Sequence, residues 1–223
     1  MNHSKLGIGV IARAPSAGKT RLAPHLSPQR LEALRGALLA DTLDVVASAC
    51  SEADEAVIFF TPPGSESEIA TLAPHPFARA LQVDGDLGER MGAAIRDLLD
   101  ARRCDAAVLV GSDIPFLSVD TLIEAREELR ARGGVVMGPA DDGGYYLIGM
   151  AQVHAPLFEG IEWGTSRVLD DTMQAAARCG VDARLIRGAY DVDTIEDLRR
   201  LERDLASAPD GAAPRVRSWF SRT

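Results

Sequence analysis

The chain is poor in aromatic side chains, which make up 5% of its 223 residues, and it holds only three cysteines. Cys50, Cys104 and Cys179 stand far apart, with no Cys-x-x-Cys pair and no histidine at zinc-ligand spacing, so they read as buried reduced thiols rather than metal ligands or disulfides. Positive charge is also short. The 24 Lys and Arg face 33 Asp and Glu, a formal net charge of −9, which repels polyanions and argues against nucleic acid as a partner. No apolar run approaches the roughly 18 to 20 residues that a membrane helix needs, and Leu6 to Ala12 is too short and glycine-broken to act as a secretory signal. A cytoplasmic protein with no membrane partner is expected. What is present in quantity is core: 46% of the residues are hydrophobic, enough at this length for one globular domain or at most two small ones.

Short β-rich runs alternate with longer helical patterns, the signature of βαβ units and a mostly parallel sheet. Strands are expected at Lys5 to Ala12, Glu55 to Thr61, Arg79 to Val83, Ala106 to Val110, Val135 to Met137, Tyr145 to Met150 and Arg184 to Ile186. The Ala/Val/Leu run from Ala106 to Val110 has the composition of a central strand buried on both faces. Ser27-Pro28 opens a helix to about Cys50, with Leu31, Leu34, Leu38 and Val45 recurring on one face. Further helices are expected near Glu66 to Leu72 and Leu87 to Arg102, from Ser118 to Arg132, from Thr165 or Ser166 to Gly180, and from Thr194, which forms a capping box with Asp197. The tight Asp141-Asp142-Gly143-Gly144 turn implies a local antiparallel pair, so the sheet is mixed. The fold class that follows is α/β, a single three-layer α/β/α domain over residues 1–205. Residues 206–223 lack periodicity and read as a flexible C-terminal tail.

In an open α/β sheet ligands bind in the crevice at the carboxyl ends of the strands, so the polar residues that follow each strand are the candidates for chemistry. After the first strand, Gly18 lets backbone N–H groups approach an anion while Lys19 and Arg21 supply charge. The upstream glycine of a Walker loop is missing, and a solvated basic turn is the plain alternative. After the central strand, Ser112 and Asp113 place a carboxylate at a strand tip. Magnesium takes one or two carboxylates plus substrate phosphates, so Asp113 facing a phosphate loop suits a metal-nucleotide; a simple turn aspartate is the alternative.

Asp86 and Gly88 sit at a helix entrance that can host an anion, a ribose or a base, although first-turn acids also stabilise a helix without any ligand. Asp142, Gly143, Gly144 and Tyr145 join a carboxylate and an aromatic ring to a flexible backbone, as an acceptor site would, and equally as a hairpin turn would. Trp163, Thr165 and Ser166 offer an aromatic platform and hydroxyls, or else a buried Trp and an ordinary N-cap. Asp191 and Asp193 alternate after the last strand, as further metal ligands or as helix-capping acids.

Seven segments in order carry a resemblance to a known family: Lys19-Thr20-Arg21-Leu22, Leu38-Leu39-Ala40-Asp41-Thr42, Gly85-Asp86-Leu87-Gly88-Glu89-Arg90-Met91, Gly111-Ser112-Asp113-Ile114-Pro115, Gly138 to Gly149, Trp163-Gly164-Thr165-Ser166 and Asp191-Val192-Asp193-Thr194. From Ile8 to Leu201 the chain resembles bacterial glycosyltransferases of the GT-A fold, including those assigned to arsenosugar biosynthesis. The resemblance implies a nucleotide-diphospho-sugar transferase-like fold, a divalent metal near Asp113 and nucleotide phosphates near Lys19 and Arg21. Two features depart from the family: Gly18 abuts Lys19, and a single Asp113 stands where glycosyltransferases of this fold carry Asp-x-Asp. The lone carboxylate, the early Lys-Thr-Arg-Leu and the late Asp-Val-Asp-Thr are similar to nucleotidyltransferases of the same fold, notably 2-phospho-L-lactate guanylyltransferases and sugar-phosphate cytidylyltransferases.

The expected function is therefore a Mg²⁺- or Mn²⁺-dependent glycosyltransferase that moves a sugar from a nucleotide diphosphate to a small acceptor. Asp113, Lys19 and Arg21 would neutralise the leaving diphosphate, and Asp142 would be the base. The alternatives are a nucleotidyltransferase, with Asp113 and Asp191 or Asp193 holding the metals for a nucleoside triphosphate, and a nucleotide-binding module without turnover. A monomer or homodimer is expected.

Overall fold

The structure is a computed structural model that describes residues 4–73 and 77–222. Residues 1–3 and 74–76 of the expected domain, and Thr223 of the expected tail, lie outside the described residues. The strands are β1 (Leu6–Arg13), β2 (Glu55–Thr61), β3 (Ala78–Leu81), β4 (Ala106–Gly111), β5 (Val135–Pro139), β6 (Tyr145–Met150) and β7 (Ala183–Leu185). They form one seven-stranded sheet in the order β3-β2-β1-β4-β6-β5-β7. Every pairing is parallel except those of β6, which runs antiparallel to both β4 and β5. This is the mixed sheet expected from the short Asp141 to Gly144 turn, which joins β5 to β6.

The helices are α1 (Pro28–Ala49), α2 (Glu66–Leu72), α3 (Leu87–Arg96), α4 (Val119–Arg132), α5 (Val168–Arg178), α6 (Ile195–Ser207) and α7 (Pro214–Ser221). Alternation along the strands divides the core in two. Ile8, Val10, Ile58, Val108 and Val110 point to the face covered by Leu39 and Leu43 of α1, Ile69 of α2 and Leu122 and Leu129 of α4. Val57, Phe59, Ala107, Leu109 and Ile148 point to the face covered by Met91 and Ile95 of α3, the following residue Leu98 and Ala176 of α5. The result is a single three-layer α/β/α domain.

Several boundaries depart from the sequence reading. β3 starts and ends earlier than Arg79 to Val83, and its short length suits the edge of the sheet. α3 ends at Arg96 and continues as a π-helical turn over Asp97–Ala101. α5 begins at Val168 rather than at Thr165 or Ser166, whose stretch is a turn. Cys104 is buried, but Cys50 is half-buried and Cys179 is exposed, so only one of the three expected core thiols lies in the core.

The largest correction is at the C-terminus. Residues 206–223 were expected to form a flexible tail, yet α7 packs on α1 and buries Val216 and Trp219 in a third apolar cluster with Leu22, Leu31, Leu34, Leu38, Val192 and Leu201. Two Arg residues and a proline hid the short helix, and the acid that caps it lies far away in sequence. Asp41 on α1 is 6% exposed and accepts hydrogen bonds from the backbone N–H groups of Arg215 (3.1 Å) and Val216 (3.0 Å). A carboxylate at a helix N-terminus satisfies unpaired donors and complements the helix dipole. Trp219 Nε1 closes the contact by donating to Arg30 O at 3.0 Å.

Candidate active site

The carboxyl ends of β1, β3, β4 and β5 open onto one cleft of about 690 Å³. It gathers nearly all the expected residues: Gly18, Lys19 and Arg21 from the loop after β1, Ser112 and Asp113 after β4, and Asp191 and Asp193 after β7. Asp86, Asp142, Gly144, Tyr145, Trp163 and Thr165 complete its wall. Gly88, Gly143 and Ser166 do not line it. Gly88 and Gly143 serve instead as close-approach points. A Cβ on Gly88 would lie 2.4 Å from Phe158 O and 2.7 Å from the Trp163 ring, and one on Gly143, at φ 89°, would lie 2.2 Å from Ser166 O.

Among the polar residues that line the cleft, Arg13, Arg35 and Gln82 escaped the sequence reading, and Arg90 entered it only within a segment of the family resemblance, with no role of its own. Arg13 ends β1, and its strand-end position could have singled it out. Arg35 and Arg90 lie on helices, where nothing in the spacing shows which way a guanidinium points. Gln82 donates both amide hydrogens to main-chain oxygens, Ala12 O at 3.0 Å and Phe59 O at 2.8 Å.

The loop after β1 is held from below by Leu22, which is fully buried in the third apolar cluster. Gly18 and Lys19 both take left-handed backbone conformations, at φ 95° and 46°. That turn carries the Lys19 side chain inward, where its ammonium lies 2.9 Å from Asp113 Oδ2, 3.0 Å from Asp193 Oδ1 and 2.5 Å from Val192 O. All three ammonium protons are thus engaged by acceptors of the protein. Burial lowers the Lys19 pKa, but Asp113 and Asp193 outweigh it and the net shift is upward, so the ammonium stays charged. Val192 N also donates to Asp113 O at 3.2 Å, so the loops after β1, β4 and β7 are tied at one point.

Asp113 Oδ1 faces the Ser112 hydroxyl at 3.3 Å. Burial, followed by the charges of Asp193 and Asp142, pushes the Asp191 carboxyl up to about 6. Asp142 is exposed, and its Oδ1 accepts from Gly144 N at 2.8 Å in a tight turn. Asp86 is the N-cap of α3 in a reciprocal capping box with Glu89, which is the purely structural role open to it from sequence. Tyr145 and Trp163 meet edge to face, with centroids 6.4 Å apart, and Trp163 Nε1 is buried without a hydrogen-bond partner among the described residues.

The donor set is chemically suited to a hard divalent cation, which takes carboxylate oxygens and leaves positions for phosphate. Asp113 and Asp193 both reach one ammonium, so one cation does hold a place between them. Among the described residues, however, no group of three or more His, Cys, Asp or Glu is placed to hold a metal, so the expected trio Asp113, Asp191 and Asp193 is not assembled as a ligand set.

Fold and cleft together define an α/β protein of the nucleotide-diphospho-sugar transferase-like class. The chain belongs to the DUF2064 family, described as an uncharacterized protein conserved in bacteria, whose family model matches residues 42–165. It is similar over 98% of its length, at 29% identity and a TM-score of 0.86, to a candidate nucleotide-diphospho-sugar transferase from Desulfovibrio desulfuricans G20, of which 95% is covered. At 12% identity and a TM-score of 0.61 it shares the fold of CMP:2-keto-3-deoxy-manno-octonic acid synthetase, solved with CTP, covering 92% of this chain and 99% of that one. Rv0371c of Mycobacterium tuberculosis H37Rv, solved with manganese, shares it at 16% identity and a TM-score of 0.55, covering 89% and 97%. No curated protein matches the sequence. Among the described residues no helix is long and apolar enough to cross a membrane.

Proposed function

We propose that the protein is a nucleotide-dependent transferase that moves a sugar from a nucleotide diphosphate to a small acceptor, with a divalent metal at Asp113. One observation carries this reading: a single cleft is lined by four guanidinium groups, Arg13, Arg21, Arg35 and Arg90, together with the carboxylates Asp113, Asp142, Asp191 and Asp193. A diphosphate bound in it would meet guanidinium donors directly and the carboxylates through a divalent cation. The full-length likeness to a candidate transferase of nucleotide sugars agrees with it.

In this reading Arg21 and Arg13 bind the diphosphate oxygens and stabilise the charge that grows as the leaving group departs. Bound Mg²⁺ or Mn²⁺ would supply Lewis-acid stabilisation of the same oxygens. Asp142, with one oxygen held by its own turn, accepts the proton of the acceptor hydroxyl through the other. Tyr145 and Trp163 form an aromatic wall on which a sugar ring stacks and which excludes water.

A second reading, transfer of a nucleotidyl group from a nucleoside triphosphate to a phosphorylated acceptor, is favoured by the lone Asp113 in place of Asp-x-Asp. That reaction needs no protein base, only positioning and charge. The two are separated by thermal shifts with Mg²⁺ against matched panels of nucleotide sugars and nucleoside triphosphates. A ligand at about 100 times its Kd adds roughly 2.7 kcal/mol, or about 5 to 10 °C for a chain of this size. A metal-dependent shift confined to a nucleotide sugar supports glycosyl transfer. One confined to a triphosphate supports nucleotidyl transfer, and no shift with either contradicts both.

A further inference from the structure

Lys19 reaches the point where three strand-end loops meet, and its ammonium is saturated there. Its acceptors are Asp113 Oδ2, Asp193 Oδ1 and Val192 O, at 2.9, 3.0 and 2.5 Å. The lysine side chain is only 5% exposed, whereas those of Asp113 and Asp193 are 37% and 42% exposed. Each carboxylate thus gives one oxygen to the lysine while its side chain stays partly exposed, and the other oxygen of Asp113 faces the Ser112 hydroxyl at 3.3 Å. A compact ammonium on a flexible stem is the one protein cation able to fill a small carboxylate-lined position and also to leave it. An arginine fork would fill the same position too rigidly and too widely.

We propose that Lys19 is an internal counter-ion: in the ligand-free protein its ammonium holds the position between Asp113 and Asp193 that a divalent cation takes, and so keeps metal weakly bound until nucleotide phosphates arrive with it. The proposal rests on the reading of Asp113 as the metal-bearing carboxylate. When a metal-nucleotide enters, the dication replaces the ammonium between the carboxylates, and the displaced ammonium finds its new acceptors on the phosphate oxygens. The same lysine then serves the carboxylates and the phosphates in turn, and metal and nucleotide bind as a unit. A lysine that only bound phosphate would lie free in the cleft before ligand arrives. One that only braced the loops would have no effect on metal affinity beyond that of unfolding.

The test is Mn²⁺ binding without nucleotide, read from the electron paramagnetic resonance of free Mn²⁺, for the wild-type chain, Lys19→Met, Asp113→Asn and the double variant. The wild type should bind weakly, Lys19→Met at least tenfold more tightly, and the double variant should lose that gain. Unchanged or weaker Mn²⁺ affinity in folded Lys19→Met overturns the proposal. If circular dichroism finds Lys19→Met unfolded, Lys19→Gln, which is neutral but still able to donate to the two carboxylates, is measured in its place and read by the same criterion. A parallel thermal-shift series with Mg²⁺ and each of ATP, CTP, GTP, UTP and UDP-glucose separates the two failures. If Asp113→Asn abolishes a metal-dependent shift while the lysine variant gains no Mn²⁺ affinity, the counter-ion role falls and the metal reading stands. If Asp113→Asn leaves that shift intact, both fall.

Discussion

Gly88 brings Trp163 to the edge of the cleft, because the ring lies against a backbone that has no side chain to hold it off. Gly88→Ala forces a methyl group to within 2.4 Å of Phe158 O and 2.7 Å of the indole, so one of them must move. The expected cost is about 1–3 kcal/mol of stability, the usual penalty for overpacking, measurable by chemical denaturation. The same variant should shift the fluorescence of Trp163 while that of Trp219, in another cluster, stays put; unchanged emission would mean that the indole does not rest on this glycine. Strand-end position made most of the site legible, since topology alone brings Lys19, Asp113, Asp142 and Asp193 to one crevice. Direction was not legible. Nothing in the order of residues shows that Gly18 and Lys19 turn left-handed and carry the ammonium inward, or that Arg35 and Arg90 aim outward from their helices.

At the scale of the element, the strands and helices follow from period and caps. β2, α2 and β6 fall where alternation and breakers put them, and Ser27, Asp86, Ser118 and Thr194 each cap a helix with the side chain. The ends of β3, α3 and α5 were less readable because they depend on neighbours: an edge strand stops when its partner does, and α5 waits until the Trp163 turn has crossed Gly143. One junction between elements makes a pH prediction. The fully buried carboxylate of Asp54 accepts from Leu6 N at 2.9 Å, Ser51 N at 2.7 Å and Arg126 at 2.7 Å, tying β1, the start of β2 and α4. Burial raises its pKa, but the hydrogen bonds from Ser51, Leu6 and Arg126 more than offset this, and the net shift is downward.

A carboxylate with a lowered folded pKa stabilises the fold above its unfolded value, near 4, and that stability is lost as pH falls through the lower folded value. Asp54→Asn should therefore cost a few kcal/mol at pH 7, since it leaves Arg126 unpaired. The difference from wild type should shrink as pH drops below about 4. Urea unfolding at pH 7 and pH 3 measures it, and a gap that is constant with pH would contradict the assignment.

At the scale of the whole molecule, the C-terminal helix and the candidate site share one apolar cluster. Val216 and Trp219 of α7 lie with Leu22 of the loop that carries Lys19 and with Val192, whose carbonyl accepts from Lys19. This coupling was invisible in sequence, since the residues that dock α7, Asp41 and Arg30, are more than a hundred positions away. Trp219→Ala should cost about 3–5 kcal/mol, the usual price of deleting a buried aromatic ring, and lower the Tm by about 6 to 20 °C at roughly 2 to 4 °C per kcal/mol. Removal of residues 208–223 should do at least as much and also weaken nucleotide binding, because Leu22 and Val192 lose the packing that fixes their loops. A truncated chain with full stability and affinity would show that α7 is an ornament of the fold rather than a support of the site.

The central claim is that a metal held at Asp113 joins nucleotide phosphates to this cleft. Isothermal titration calorimetry tests it most directly, with the nucleotide that gives the largest thermal shift titrated into the wild-type chain and into Asp113→Asn, each with Mg²⁺ and with EDTA. The account predicts affinity in the wild type that falls at least tenfold, about 1.4 kcal/mol, with EDTA, and an Asp113→Asn chain that is weak in both and insensitive to the chelator. Equal affinity in all four titrations would contradict it.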